Sequence, residues 1–313
     1  MIVPEFVQNI DPIWIAIPYF TLSIFMEMWM AKKGKRASFE TRDSAASLLM
    51  GLGNSVSTLV FAGILTAWFV FIYQYRVFEF GFAWWAWIIA FIAYDFMYYW
   101  SHRLAHTVRW FWADHVVHHS SQHYNLTTAL RQPWLSPFTL KFMWLGSILL
   151  ISGFHPAMLA FVGALNLIYQ FWIHTETIKK CPPWFEAVMN TPSHHRVHHG
   201  TNPIYLDRNH AGVFIVWDKI FGTYQPELEE EPPRYGIIKN LGTYNPLKIV
   251  SHEWFAILED MKNANSFKDA LMYLLAPPGW SPDGSRMTSK QILARWEAQY
   301  DGQKDSKAQN AAK

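Results

Sequence analysis

The sequence contains a single cysteine, Cys181, so it can build neither a disulfide framework nor a cysteine-rich zinc site. Charge is also scarce. Asp, Glu, Lys and Arg make up 16% of the chain and the net charge is +2, which argues against a nucleic-acid partner. The first residues have no basic stretch and carry Glu5 and Asp11, so no cleavable signal peptide is expected there. No repeat of fixed period is visible. Charge is missing most completely from four long stretches. Residues 44–75 and 142–173 have no Asp, Glu, Lys or Arg, 13–31 has only Glu27, and 80–100 has only Asp95.

Apolar residues fill 51% of the chain, with 17 Trp, 14 Tyr and 23 Phe, and most lie in those runs. A membrane-spanning helix needs about 20 apolar residues. The runs therefore predict membrane helices at about 13–31, 45–73 and 82–100. The fourth run is interrupted by Gly153, His155 and Pro156 and reads as a hairpin of two short helices over 138–173. Basic residues set the orientation. Lys32, Lys33, Lys35, Arg36 and Arg42 lie between the first two runs, whereas the next turn has only Arg76, beside Glu79. The excess of positive charge predicts a cytoplasmic 32–43 loop and an N-terminus on the other side. Counting crossings from there puts 101–140 and 174–313 in the cytoplasm.

Histidine is the residue in excess, with 14 in the chain. Most fall in three clusters: His102 and His106, then His115, His118 and His119, then His194, His195, His198 and His199. Spacings of three and four place side chains on one helix face. His102 can thus share a metal with His106, His115 with His118 or His119, and His195 with His198 or His199. Imidazole suits iron, zinc, copper and nickel. One ion needs three or four such ligands, so eight to ten imply two ions. His174 sits where the hairpin returns to the cytoplasm, at the depth of His102, and joins the candidates. His123 and His210 are weaker ones, and His155 and His252 read as incidental. Asp95 shares a helix face with His102, seven residues on, and is expected to accept an N–H from a ligand imidazole. Asp114 and Asn209 are candidates for the same role, and Asn125 and Asp218 for a weaker version of it.

The order HX3H, HX2HH, HX2HH on a membrane hairpin scaffold resembles the fatty acid hydroxylase or sterol desaturase superfamily. The strings HHSSQHYNLTTALRQ (118–132), YQFWIHTE (169–176), NTPSHHRVHHG (190–200) and AGVFIVWDKIFGT (211–223) are similar to its branch of monooxygenases that cleave alkylglycerol ether lipids. Two positions depart from that branch: Thr107 stands where Glu is expected, and His210 where Tyr is expected. The resemblance implies an integral membrane enzyme with two iron ions, using O2 and tetrahydrobiopterin or another electron donor.

The expectation is an all-α integral membrane protein with four or five membrane-inserted helices and a cytoplasmic, His-rich helical cap holding a di-iron site. Residues 1–224 form the catalytic domain, with the cap over 101–136 and 174–224. A cytoplasmic extension covers 225–300, and 301–313 is a disordered tail. The metal ligands are His102, His106, His115, His118, His119, His174, His194, His195, His198 and His199. The partners are a lipid substrate, O2, the membrane (bacterial inner membrane or endoplasmic reticulum) and an electron-transfer protein. A sterol, carotenoid or fatty-acyl hydroxylase or desaturase is the alternative within the enzyme class. A metal transporter or a zinc-binding membrane scaffold is the alternative outside it. A transporter would place polar residues at the membrane midplane, where these runs have almost none.

Overall fold

The computed structural model describes residues 2–34 and 37–299. Lys35 and Arg36 of the basic loop, and the tail expected to be disordered, lie outside the described residues. Regular structure among the described residues is helical, and the one β contact is an isolated bridge between Met189 and Phe214. The principal helices are α1 (Pro12–Lys32), α2 (Thr41–Tyr73), α3 (Trp84–Thr107), α4 (Arg109–His119), α5 (Lys141–Ser152), α6 (Pro156–Trp172), α7 (Pro192–His198), α8 (Pro246–Lys262) and α9 (Phe267–Leu275).

Two of these, α1 and α2, are long and apolar enough to cross a membrane. Local chemistry starts both. The Asp11 side chain accepts the Ile13 N–H at 2.9 Å with Pro12 in the first helical position, and Glu40 accepts the Asp43 N–H at 2.6 Å. The 33 residues of α2 span about 50 Å, well beyond the about 30 Å of a hydrocarbon core. Its large apolar side chains point outward: Leu59 is 78% exposed and Val60 68%. An apolar face this long has no place in water, and the chain is a membrane protein.

The expected hairpin is present as α5 and α6, of 12 and 17 residues. At about 1.5 Å per residue these reach about 18 and 25 Å, short of a full span. Gly153 turns the chain between them at φ +114°, a conformation that favours glycine, and a Cβ there would lie 2.3 Å from the Phe78 carbonyl oxygen. The Val77 N–H donates to the Ile151 carbonyl at 2.7 Å, so the hairpin tip and the 74–80 turn meet at one end of the bundle. Ala86 and Ala90 of α3 are fully buried against Leu149, Leu150, Met158 and Val162, because small side chains let the helices approach closely. His155 belongs to this end. It caps α6 by accepting the Ala157 N–H at 3.1 Å, far from the clustered histidines in role.

The opposite end is polar and buried. The single carboxylate of α1, Glu27, accepts the Leu126 N–H at 2.8 Å and hydroxyls from Thr175 and Thr177. Arg131 pairs with Asp43 of α2 at 3.2 Å and also donates to Ser47 and Ser120. On this end α8 packs Ile249 and Val250 against Ala46, Met50 and Val117. Arg109 of α4 donates to Glu253 at 2.7 Å and to Asp260 at 2.6 Å, tying residues after 245 to the histidine-bearing region.

Asp95 corrects an expectation. Its carboxylate accepts the N–H groups of Val213 (2.8 Å) and Phe214 (3.0 Å), the Trp217 indole N–H (3.0 Å) and Asn166 Nδ2 (2.7 Å). No imidazole is among its donors. Its role is to hold segment 213–217 against α3, and Gly212 is required there because a Cβ would lie 2.8 Å from Asp95 Oδ1. Asp95→Ala strands four donors, two buried and two half-buried, and a buried donor left unpaired costs about 1–3 kcal/mol. The variant should melt at a markedly lower temperature than the wild type in detergent, with Asp95→Asn, which keeps one acceptor oxygen, in between. Equal melting temperatures for wild type and Asp95→Ala would refute this role.

Candidate metal centre

Nine histidines from α3, α4, the end of α6 and α7 converge into two groups. The first is His102, His106, His115, His119 and His198, and the second is His118, His174, His195 and His199. Within each group the donor atoms lie within 4.8 Å of one another. All nine are buried except His115, which is half-buried. Each pair of adjacent histidines divides: His118 and His119 go to different groups, as do His198 and His199. Successive helical residues point about 100° apart, so one helix turn serves two sites. The groups adjoin, with the rings of His119 and His199 stacked at 4.3 Å.

Two elements hold the convergence. Arg196 of α7 donates to the carbonyls of Thr175 and Ile178 and to Glu227, which fixes the segment carrying His174 to the helix carrying His195, His198 and His199. Glu186 accepts the hydroxyls of Thr191 and Ser193 and anchors the start of α7.

The hydrogen-bond pattern leaves imidazole lone pairs that a cation would satisfy. His102 Nδ1–H donates to the His210 carbonyl at 2.8 Å, and His198 Nδ1–H to the Arg208 carbonyl at 2.9 Å. Their Nε2 atoms are therefore bare lone pairs when the rings are neutral. Four Nε2 atoms then run in a chain: His102 to His115 at 2.9 Å, His115 to His119 at 3.1 Å, and His119 to His198 at 3.1 Å. With bare ends, the outer contacts require protons on both His115 and His119, and the middle contact then sets two N–H groups against each other. No arrangement of neutral rings satisfies all three. In the second group His118 Nδ1–H donates to the Arg131 carbonyl at 3.3 Å and His174 Nδ1–H to the Gln170 carbonyl at 2.8 Å. Their bare Nε2 atoms face each other at 3.2 Å. His106 Nε2 and His199 Nε2 are buried without any partner, and His195 Nε2 lies 3.0 Å from His174 Nε2. A metal ion in each group satisfies these lone pairs, and the all-imidazole donor set fits iron among the transition metals.

Protonation is not the escape. Burial first, and then the neighbouring rings, hold His119, His195, His198 and His199 well below the usual histidine range. Burial pushes His118 down to about 4.

Other candidates lie elsewhere. His194 is buried outside both groups, with Nδ1 3.3 Å from Thr191 Oγ1. Asp114 accepts the Ser136 hydroxyl at 2.9 Å and meets no imidazole N–H. Asn209 donates to the carbonyls of His194 (3.0 Å) and Gln225 (2.7 Å). Asn125 caps the short 3-10 turn Leu126–Leu130, and Asp218 accepts the N–H groups of His210 and Ala211. His123 bonds Ser38, and His252 donates to the Ile249 carbonyl. The acceptors that do meet ligand N–H groups are four backbone carbonyls and Asp207, which accepts His106 Nδ1–H at 3.3 Å. Sequence reasoning missed Asp207, whose one available signal is its place three residues before His210. His210 itself packs its ring 5.0 Å from that of His106.

The sequence model of the fatty acid hydroxylase family matches residues 87–223, the stretch that carries all nine histidines. Over 289 residues the chain is 38% identical to an alkylglycerol monooxygenase of Homo sapiens, covering 91% of this chain and 62% of that protein. It is 35% identical to an alkylglycerol monooxygenase of Danio rerio, again covering 91% of this chain and 62% of the relative. An ornithine lipid hydroxylase of Rhizobium tropici is 26% identical over 148 residues, 47% of this chain and 42% of that one. The chain thus spans less than two thirds of the length of these relatives. No solved structure matches.

The depressed imidazole pKa values have a measurable consequence. The unfolded chain takes up protons at the ordinary histidine value of about 6.5, whereas the folded His118 resists until about 4. Between those values the unfolded state binds more protons, so stability rises with pH across the window and falls on acidification. Metal-stripped protein should show a Tm that drops as the pH is lowered through this window. An unchanged Tm would mean that the rings titrate like exposed histidines.

Proposed function

We propose, from the premise that residues 87–223 are a fatty acid hydroxylase domain, that the chain is a membrane-bound non-haem di-iron monooxygenase of alkylglycerol-type ether lipids. The observation that carries this reading is the pair of facing-lone-pair histidine groups at one end of an apolar helical bundle. Its nine ligands are His102, His106, His115, His118, His119, His174, His195, His198 and His199, and residues 1–224 are the catalytic unit with 225–300 as an extension.

When bound, two iron ions would supply activation of O2 and attack on a substrate C–H bond. The chain's own residues do the rest. The carbonyls of Arg131, Gln170, Arg208 and His210, with the Asp207 carboxylate, hold ring protons on Nδ1 and so keep Nε2 free to bind. Burial of the rings excludes bulk water. The surrounding apolar helices admit the lipid laterally, tail in the bilayer and reactive carbon at the ligands. O2, two electrons and two protons convert the carbon beside the ether oxygen to a hemiacetal and release water. The hemiacetal then collapses to an aldehyde and an alcohol. Tetrahydrobiopterin or an electron-transfer partner is the source of electrons. The similarity to an ornithine lipid hydroxylase favours one second reading, hydroxylation of a lipid without cleavage.

We further infer a multi-pass topology, with α3 and the hairpin inserted beside α1 and α2 and both histidine groups on the cytoplasmic side. The basic residues at 32–42 support it. Single cysteines at 120 and 201, in a Cys181-free background, should label from the cytoplasmic side only, and labelling from opposite sides would overturn the shared site.

The activity test is direct. Iron-loaded protein with reductant and O2 should convert a 1-O-alkylglycerol to a fatty aldehyde, and His118→Ala or His195→Ala should abolish turnover while His252→Ala retains it. A hydroxylated lipid with the ether intact would select the second reading. Absence of O2-dependent product from either lipid class would overturn both.

A further inference from the structure

Three of the five imidazoles of the first group receive their orientation from one four-residue turn, 207–210. The Asp207 carboxylate accepts His106 Nδ1–H at 3.3 Å, the Arg208 carbonyl accepts His198 Nδ1–H at 2.9 Å, and the His210 carbonyl accepts His102 Nδ1–H at 2.8 Å. No imidazole of the second group donates to this turn, whose link to that side is Asn209 Nδ2 on the His194 carbonyl. The second group's acceptors are the carbonyls of Arg131 and Gln170, on other segments.

The turn has an unusual backbone. Asp207 and Asn209 both adopt left-handed conformations, φ 55° and 56°, and Leu140 is the one other non-glycine residue to do so among the described residues. Asp and Asn tolerate this region better than other side chains, yet it persists only where the surroundings over-determine it. The over-determination is visible. Asn209 is fully buried, donates its own N–H to the Thr223 carbonyl at 3.0 Å, and accepts the Gln225 N–H on Oδ1 at 2.8 Å. Its Nδ2 donates to the carbonyls of His194 and Gln225. Asp218 holds the N–H groups of His210 and Ala211 at 2.7 and 2.8 Å. The His210 ring closes the turn from inside, with Nε2–H donating to the Asp207 carbonyl at 3.1 Å. Reversing the backbone at two alternate residues lets carbonyls 208 and 210 both face the first group, one at His198 and the other at His102.

We propose that the 207–210 turn is a positioning element for the first metal group alone, with Asn209 as the residue that locks it and Asp207 as its one side-chain acceptor. This rests on the metal-centre reading above. The second group then serves as an internal control for folding. In full-length protein in detergent, cobalt(II) or iron(II) content is measured against increasing chelator, together with the cobalt absorption spectrum. The wild type should hold about two ions per chain, as two ligand groups require. In Asp207→Ala and Asn209→Ala one of the two ions should be bound about 10–100-fold more weakly, the scale for loss of a partner to a ligand imidazole. The other ion and its share of the spectrum should be unchanged. Asp207→Asn, which keeps an oxygen acceptor, should restore most of the lost affinity. Asp207 is 31% exposed at the rim, so Asp207→Ala carries the test if Asn209→Ala does not fold. Equal weakening of both ions, or wild-type retention of both, would overturn the proposal alone. A wild-type chain that holds no transition metal would overturn the metal-centre reading and this proposal with it.

Discussion

Everything in the polar end of this protein follows from one electrostatic constraint: neutral imidazoles that aim bare nitrogens at one another repel. His118 and His174 do so at 3.2 Å, and the four-nitrogen chain from His102 to His198 has no neutral proton pattern that satisfies it. Burial denies the rings the alternative of becoming charged. On His102, His106, His118, His174 and His198 the ring proton is therefore parked on Nδ1, where a fixed acceptor meets it. The acceptors are chiefly backbone carbonyls, so the backbone of several distant segments must be held in place. The ion pairs and buried carboxylates of the cap serve that requirement.

The same constraint explains why polar residues occur inside apolar helices. A carboxylate in such a helix is costly unless its oxygens are fully engaged. Glu27 and Asp95 are each their run's sole charge, and both turn inward to collect N–H and hydroxyl groups from the cap. Each joins an apolar helix to a segment beside the histidine groups: Glu27 to Thr175, next to His174, and Asp95 to 213–217, a few residues beyond the 207–210 turn. The apolar bundle and the histidine cap are thus one structure.

Much of the architecture was legible in sequence. The hairpin was readable from Gly153 and Pro156, because a positive-φ glycine and a proline at a helix start punctuate an apolar run in a recognisable way. The convergence of the histidines was legible because their spacings of three and four are those of a helix face. Other expectations failed for a definite reason. Asp95 shares a face with His102, as the heptad spacing says, but its carboxylate is reached first by the backbone of 213–217. His194 sits beside a ligand in sequence, yet its ring points toward Thr191, because neighbouring residues of α7 leave the helix in different directions.

By itself the sequence determined an all-helical chain with apolar runs of membrane-crossing length and a surplus of imidazoles at metal-binding intervals, since these depend on local periodicity alone. Only the tertiary structure decided how the imidazoles divide. Both three- and four-residue spacings were available to His115 and His195, and the packing of α4 against α7 chose the four-residue partner for each, sending His118 to one group and His198 to the other. It also decided which atoms fix the ring protons. Every residue has a carbonyl, so nothing in the letters marks Arg131, Gln170, Arg208 or His210 as acceptors, and only their position in space gives them that role.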